Sequence, residues 1–95
     1  MDDLEANVRR RLYRFRDLAD DMTSVRATET AVDGSVTVEV DGNGSLLKLS
    51  FAHSISRLSP AEFEQRLVDA AAAAARRAFA RRAELINAFN EEVAE

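Results

Sequence analysis

Arginine accounts for nearly all the side chains in this sequence that could bind an anionic ligand through charge. Twelve of the thirteen basic residues are arginine, and nine of the twelve fall in two stretches without an acidic residue, 6–16 and 76–82. Because a guanidinium group forms paired hydrogen bonds with phosphate, such clusters can bind the backbone of nucleic acid without reading its bases. The net charge of −4 excludes a uniformly basic protein, so this kind of binding would depend on segregated charge.

The direction in which each arginine projects separates candidate DNA contacts from candidate structural residues. At 100° per residue, one group projects away from the apolar residues of its predicted helix, and we expect it to contact DNA phosphates: Arg9, Arg16, Arg66, Arg76 and Arg77. The alternative for these five is a solvated helix surface, balanced by nearby Asp and Glu. Arg11 and Arg82 project towards the apolar stripes, where contacts at a subunit interface or salt bridges between subunits are expected.

Residues that could support catalysis or metal binding are few. The chain has no cysteine and a single histidine, His53, in a predicted loop, and one histidine supplies neither a catalytic triad nor a set of metal ligands. The paired carboxylates Asp20 with Asp21, and Glu91 with Glu92, are adjacent on helices and point in different directions. We therefore expect a protein that is not an enzyme and that holds no cofactor and no metal.

The arginines must be positioned by helices, and the first helix is predicted over residues 4–22. Apolar residues recur there at steps of three and four, which places them on one stripe of a helix: Leu4, Val8, Leu12, Phe15, Leu18, Ala19 and Met22. Residues 25–51 change to β-branched residues with alternating polarity. The turn pairs Asp33-Gly34 and Asp41-Gly42 divide this segment into three antiparallel strands that follow one another as a meander.

The predicted sheet has one apolar face. Val36, Val38 and Val40 alternate with polar residues, and the next strand repeats the pattern at Leu47, Leu49 and Phe51. Glycines between these strands could suggest a phosphate-binding loop, but the lysine of such a loop is missing and the segment leads into a strand. A hairpin turn is therefore expected.

The second helix is predicted to begin at Pro60 and to run to about Ala94. Ser59 and Glu62 form a capping box around Pro60, and the segment that follows contains neither glycine nor a further proline. A helix of this length reaches about 50 Å, whereas the strands span only about 20 Å, so its apolar residues extend beyond the sheet. We expect a single α+β domain over residues 1–95, in the order α-β-β-β-α, that associates as a homodimer.

The order of these elements and their short motifs resemble the YbaB/EbfC family of nucleoid-associated DNA-binding proteins. The resemblance lies in the strand segment Gly-Ser-Val-Thr-Val-Glu-Val that begins at Gly34, the Asp-Gly-Asn-Gly turn at Gly42 and Gly44, the strand Leu-Leu-Lys-Leu-Ser-Phe, and the alanine-rich region 70–83. It implies a homodimer whose helices project like the arms of tweezers. It also implies binding to double-stranded DNA, largely without sequence specificity, in the cytoplasmic nucleoid.

A second hypothesis comes from the acidic net charge. A dimeric module that recruits another protein, for example an accessory factor of type VII secretion, would bind little or no DNA. The sequence begins with acidic residues rather than with an export signal, and it contains no apolar run near the ~20 residues that cross a membrane. Both observations favour a cytoplasmic location without a membrane partner.

Overall fold

The protein's structure, a computed structural model, describes residues 2–94. Helix α1 spans Asp2–Thr23 and is followed by strands β1 (Arg26–Thr30), β2 (Val36–Asp41) and β3 (Leu46–Phe51). A short 3-10 helix, His53–Arg57, leads into helix α2, Pro60–Ala94. The predicted order of a helix, three strands and a long helix is confirmed.

The strands form one antiparallel sheet in the order β1-β2-β3. Val36, Val38 and Val40 of the central strand are fully buried, as their alternation predicts. They pack against Ala70, Ala74 and Ala78 of α2. Because an alanine side chain is a single methyl group, the helix backbone can lie close to the sheet, which explains the alanine-rich sequence without a functional role.

Strand β3 departs from simple alternation. The register of β2 and β3 shifts between Glu39 and Val40, so that Lys48 lies opposite Glu39 and Leu46 lies opposite Val40. Leu49 packs against the core, whereas Leu47 and Phe51 remain about half exposed. The apolar face predicted for β3 is therefore only partly covered by the rest of the chain.

Helix α2 begins at the predicted capping box. The Glu62 backbone N–H donates to the Ser59 hydroxyl at 3.1 Å, and the Ser59 backbone N–H donates to Glu62 Oε1 at 3.0 Å. These reciprocal bonds satisfy two of the backbone donors that a helix start would leave unpaired. They also fix the residue at which α2 begins.

The second half of α2 pairs with α1 beyond the sheet. The rings of Phe15 and Phe89 lie 4.7 Å apart, and the Arg14 Nη1 donates to the Glu92 carbonyl oxygen at 3.1 Å. Met22, at the other end of α1, borders a cleft with Arg82, so the two helices run antiparallel. We call this helix pair, α1 and the second half of α2, the arm. The molecule is 69 Å long and at most 18 Å wide, because the arm extends beyond the end of the sheet.

Candidate nucleic-acid interface

Arg9 and Arg16 lie on the outer surface of the arm. Both are exposed on α1, on the side opposite the half-buried Leu18 that faces α2. The Arg16 guanidinium lies 5.9 Å from the centre of the Tyr13 ring. Neither arginine forms an ion pair with any residue that the structure describes, so their charge is available to a ligand.

Arg76 lies on the opposite surface of the molecule. It follows the fully buried Ala74 by two positions, a rotation of about 200° that turns it away from the sheet. Since α1 occupies the same side of α2 as the sheet, Arg76 faces away from Arg9 and Arg16. One protomer therefore does not bring these three arginines to a common surface.

Arg66 and Arg77 lie beside the sheet and not opposite it. Eleven positions, about three helical turns, separate them, so they share the side of α2 next to β1. Arg66 Nε lies 3.1 Å from Asp33 Oδ2, and Arg77 Nη1 lies 3.1 Å from Glu29 Oε1. These two predicted contacts are thus already paired with carboxylates of the sheet.

Asp33 also accepts hydrogen bonds within its own turn. Its Oδ1 accepts hydrogen bonds from the Ser35 hydroxyl and from the Ser35 backbone N–H. These bonds, with a smaller contribution from Arg66, lower the pKa of Asp33 to about 2. Asp33 is therefore charged at neutral pH, and it fixes the β1–β2 turn to α2 through Arg66.

Other arginines of the two clusters have contacts within the protomer. Arg14 binds one of the last carbonyl oxygens of α2, at Glu92. The negative end of the helix dipole also stabilises a cation at this position. Arg10 and Arg11 line a cleft together with Arg14 and Glu92. Arg82, for which we expected a subunit contact, donates to the Gly42 carbonyl oxygen at 3.1 Å within the same chain.

A cleft at the junction of α1, β1 and α2 brings together arginines that sequence reasoning did not connect. We call it the junction cleft; its charged lining consists of Arg26, Arg77, Arg81 and Asp21. Arg26 lies at the start of β1, far in sequence from the other two arginines. No sequence signal identified Arg26, because the spacing along one helix carries no information about a strand that packs beside it.

The polar residues considered for catalysis remain separate. His53 lies at the start of the 3-10 helix, whereas the sequence predicted a loop. Among the residues that the structure describes, no group of three or more His, Cys, Asp or Glu side chains is placed to hold a metal ion. The 41–45 segment is a turn in which Asp41 Oδ1 accepts from the backbone N–H groups of Asn43 and Ser45, so the predicted hairpin turn is confirmed.

The part of the chain that the structure describes contains no helix with the length and apolar character of a membrane span.

Comparisons with known proteins relate the whole chain to one family and one fold. No curated protein sequence matches it. Among solved structures, it is similar to that of the uncharacterized protein HP0035 from Helicobacter pylori, at 22% sequence identity and a TM-score of 0.68, over 93% of this chain and 91% of that chain. That likeness shows the fold. The family model described as "YbaB/EbfC DNA-binding family" matches residues 1–93, and this match over nearly the full length shows that the chain belongs to the YbaB/EbfC DNA-binding family.

Proposed function

We propose that this protein binds double-stranded DNA as a homodimer, largely without sequence specificity, and associates with the nucleoid in the cytoplasm. Its family is a DNA-binding, nucleoid-associated one and is not known for enzymatic activity. The observation that carries the proposal is the exposure, within this fold, of Arg9, Arg16 and Arg76 without a carboxylate partner in the described part of the chain. Guanidinium groups of this kind neutralise phosphates and release counterions, which gives affinity but no base readout.

Arg66 and Arg77 can also contact DNA phosphates, but each must then exchange its carboxylate partner for the phosphate. Their ion pairs with Asp33 and Glu29 are solvent-accessible, and exposed ion pairs are worth only about 0.2–1 kcal/mol. A phosphate oxygen can therefore replace the carboxylate at modest cost. We assign all five arginines to phosphate contacts, with Arg9, Arg16 and Arg76 as the stronger ones.

Dimerisation is supported by an apolar surface on the β3 side of the molecule, which we call the apolar flank. Phe79 follows Val68 by 11 positions and precedes Ile86 by 7. Both spacings are close to whole numbers of helical turns, so the three residues lie on one side of α2. Gly44, just before β3, packs against Phe79, so this is the side next to β3. The flank contains six exposed or half-exposed apolar side chains: Leu46, Leu47, Phe51, Val68, Phe79 and Ile86.

A second copy of the chain is the occupant that this flank fits. Contiguous exposed apolar surface marks an interaction site in a folded protein, and β3 is an edge strand with unpaired backbone groups. A two-fold dimer covers both copies of the flank at once. It also duplicates the arginine surfaces, so that arginines turned apart in one protomer can approach one duplex from two subunits.

The proposal is tested by titrating a labelled generic duplex with protein at low and at physiological salt, after light scattering has established its mass in solution. We expect a dimer with salt-sensitive binding. Replacement of Arg9, Arg16 and Arg76 with Gln should reduce the salt dependence by about one phosphate contact for each arginine that binds. The matched control is Arg57→Gln, since Arg57 is an exposed arginine of the 3-10 helix, away from these surfaces.

The second candidate function is a protein-interaction module with little DNA binding, such as an accessory factor of type VII secretion. The observation that favours it is the net charge of −4 together with the pairing of Arg66 and Arg77 to carboxylates. A dimer that binds no duplex even at low salt would support this candidate and contradict the first one.

A further inference from the structure

The junction cleft is a concave site in which three of the four charged lining residues are arginines. Arg77 and Arg81 reach it from α2 and Arg26 reaches it from β1, while Asp21 is the one carboxylate of its described lining. The uncharged residues of its lining are Ser24, Val25, Ala27 and Leu85. Three guanidinium groups against one carboxylate leave the charged lining with an excess of positive charge, and a concave surface concentrates the local potential, so the cleft suits an anion.

Each of the three guanidinium groups is held in place through its Nη1 atom. Arg26 Nη1 donates to the carbonyl oxygens of Thr23 at 3.0 Å and Val25 at 2.7 Å. Arg77 Nη1 donates to the Thr28 carbonyl oxygen at 2.8 Å. Arg81 Nη1 lies 3.2 Å from Glu84 Oε2. These contacts orient the side chains before any ligand arrives.

The remaining guanidinium nitrogens are available. An arginine has five N–H donors, and the hydrogen bonds of these three residues within the described chain use only Nη1. Nε and Nη2 of each residue can therefore donate to a ligand without breaking the contacts of Arg26 and Arg77 to backbone carbonyl oxygens, and at Arg77 only the Glu29 carboxylate, among the described residues, competes with that ligand. Donors that are already oriented lose less conformational entropy on binding, and paired N–H donors match the oxygens of a phosphate group.

We propose that the junction cleft binds a phosphate group, and that on DNA this group is one phosphodiester of the backbone, bound by Arg26, Arg77 and Arg81. The identity of the ligand as DNA rests on the proposed function. The cleft adds Arg26 and Arg81 to the contacts and places one of them on the sheet. It therefore adds the junction between arm and sheet to the DNA-binding surface.

The experiment has one arm for each source of phosphate, and it uses the full chain. In the first, duplex binding is measured against salt concentration for Arg26→Gln, Arg81→Gln and the control Arg57→Gln. In the second, inorganic phosphate is titrated while the side-chain Nε–H signals of Arg26, Arg77 and Arg81 are followed by NMR. Arg81→Gln changes an exposed position of α2, so it remains informative even if loss of the Arg26 contacts impairs folding.

We expect Arg26→Gln and Arg81→Gln each to weaken duplex binding at low salt about three- to tenfold and to lower the salt slope by about one, with no change for Arg57→Gln. A second outcome is that phosphate shifts the three Nε–H signals saturably but the protein binds no duplex. This result would keep the cleft as a site for a free phosphate and would contradict the proposed function alone. Duplex binding that is equal in wild type, Arg26→Gln and Arg81→Gln would overturn the cleft proposal and leave the proposed function standing. Absence of both phosphate shifts and duplex binding would overturn both.

Discussion

Arg77 of α2 is tied to β1 at two consecutive residues. Its Nη1 donates to the Thr28 carbonyl oxygen at 2.8 Å and lies 3.1 Å from Glu29 Oε1. The Arg77 side chain nevertheless remains 62% exposed, against 29% for Glu29. The carboxylate thus occupies one edge of a guanidinium group that is otherwise open to solvent, which is the position that a phosphate oxygen would take on DNA. Glu29 is therefore placed to compete with DNA for Arg77.

Replacement of Glu29 with Gln should strengthen DNA binding. The substitution removes the charge that competes for Arg77 and retains the length of the side chain. Because an exposed ion pair contributes about 0.2–1 kcal/mol, we expect duplex affinity at low salt to rise about two- to fivefold, as measured by fluorescence anisotropy.

The control for this change is Glu39→Gln, which removes the same charge from the neighbouring strand. Glu39 lies opposite Thr28 and Lys48 in the sheet, and no arginine contacts it in the described chain. An equal rise in affinity for Glu39→Gln would show a general effect of net charge. A rise that persists for Glu29→Gln in an Arg77→Gln background would also contradict competition for Arg77.

The fold could be predicted from sequence because its signals are local. Alternation around Val38, the glycine turns and the capping box at Ser59 each depend on a few neighbouring residues, and all three are present in the structure. The half-exposed state of Leu47 was not predictable in the same way. The register shift opposite Val40 results from how two strands pair, which the pattern of one strand does not specify.

The arginine surfaces were only partly predictable for a related reason. Helical spacing correctly separates Arg9 from the side of α1 that faces α2, since both lie on one helix. It cannot show that Arg66 reaches Asp33 or that Arg77 reaches Glu29, because these partners lie 33 and 48 positions away in sequence. Arg26 was missed in the same way. Pairing between elements therefore decides which arginines are available to DNA.

The charge of Asp33 should stabilise the fold in a defined pH range. The folded pKa of about 2 lies below the ordinary value of 3.8, so the stabilisation is fully present above about pH 4 and is lost as the pH falls towards 2. Asp33→Asn retains an oxygen that can accept from the Ser35 N–H but removes the charge. The difference in free energy of unfolding between wild type and Asp33→Asn, measured by urea denaturation, should therefore shrink as the pH falls from 4 to 2. A difference that stays constant over this range would indicate a steric role for the side chain.

Two glycines with positive φ should respond differently to alanine. Gly34 has φ of 75° with no atom within 4 Å of an added Cβ, whereas Gly44 has φ of 80° and the added Cβ would lie 3.0 Å from Phe79 Cζ. Gly34→Ala should cost about 1 kcal/mol from backbone strain alone. Gly44→Ala should cost about 2 kcal/mol, because the Phe79 ring must also move. Urea denaturation at one fixed protein concentration measures both losses in free energy of unfolding. Equal losses would show that the Phe79 ring moves aside without an energetic cost.

A charge placed on the apolar flank should dissociate the dimer, whereas the same charge elsewhere should not. Val68 is 53% exposed at one end of the flank's α2 stripe, and Val32 is 106% exposed in the β1–β2 turn, outside the flank. If a second copy covers the flank, Val68→Glu would bury a carboxylate without a partner, which costs several kcal/mol, and the dimer should weaken at least tenfold. Val32→Glu makes the identical change in open solvent, where the dimer should persist. Light scattering over a dilution series measures both variants, and circular dichroism confirms that each remains folded. If Val68→Glu stays dimeric over the same concentrations at which the wild type is dimeric, the subunits associate through a different surface.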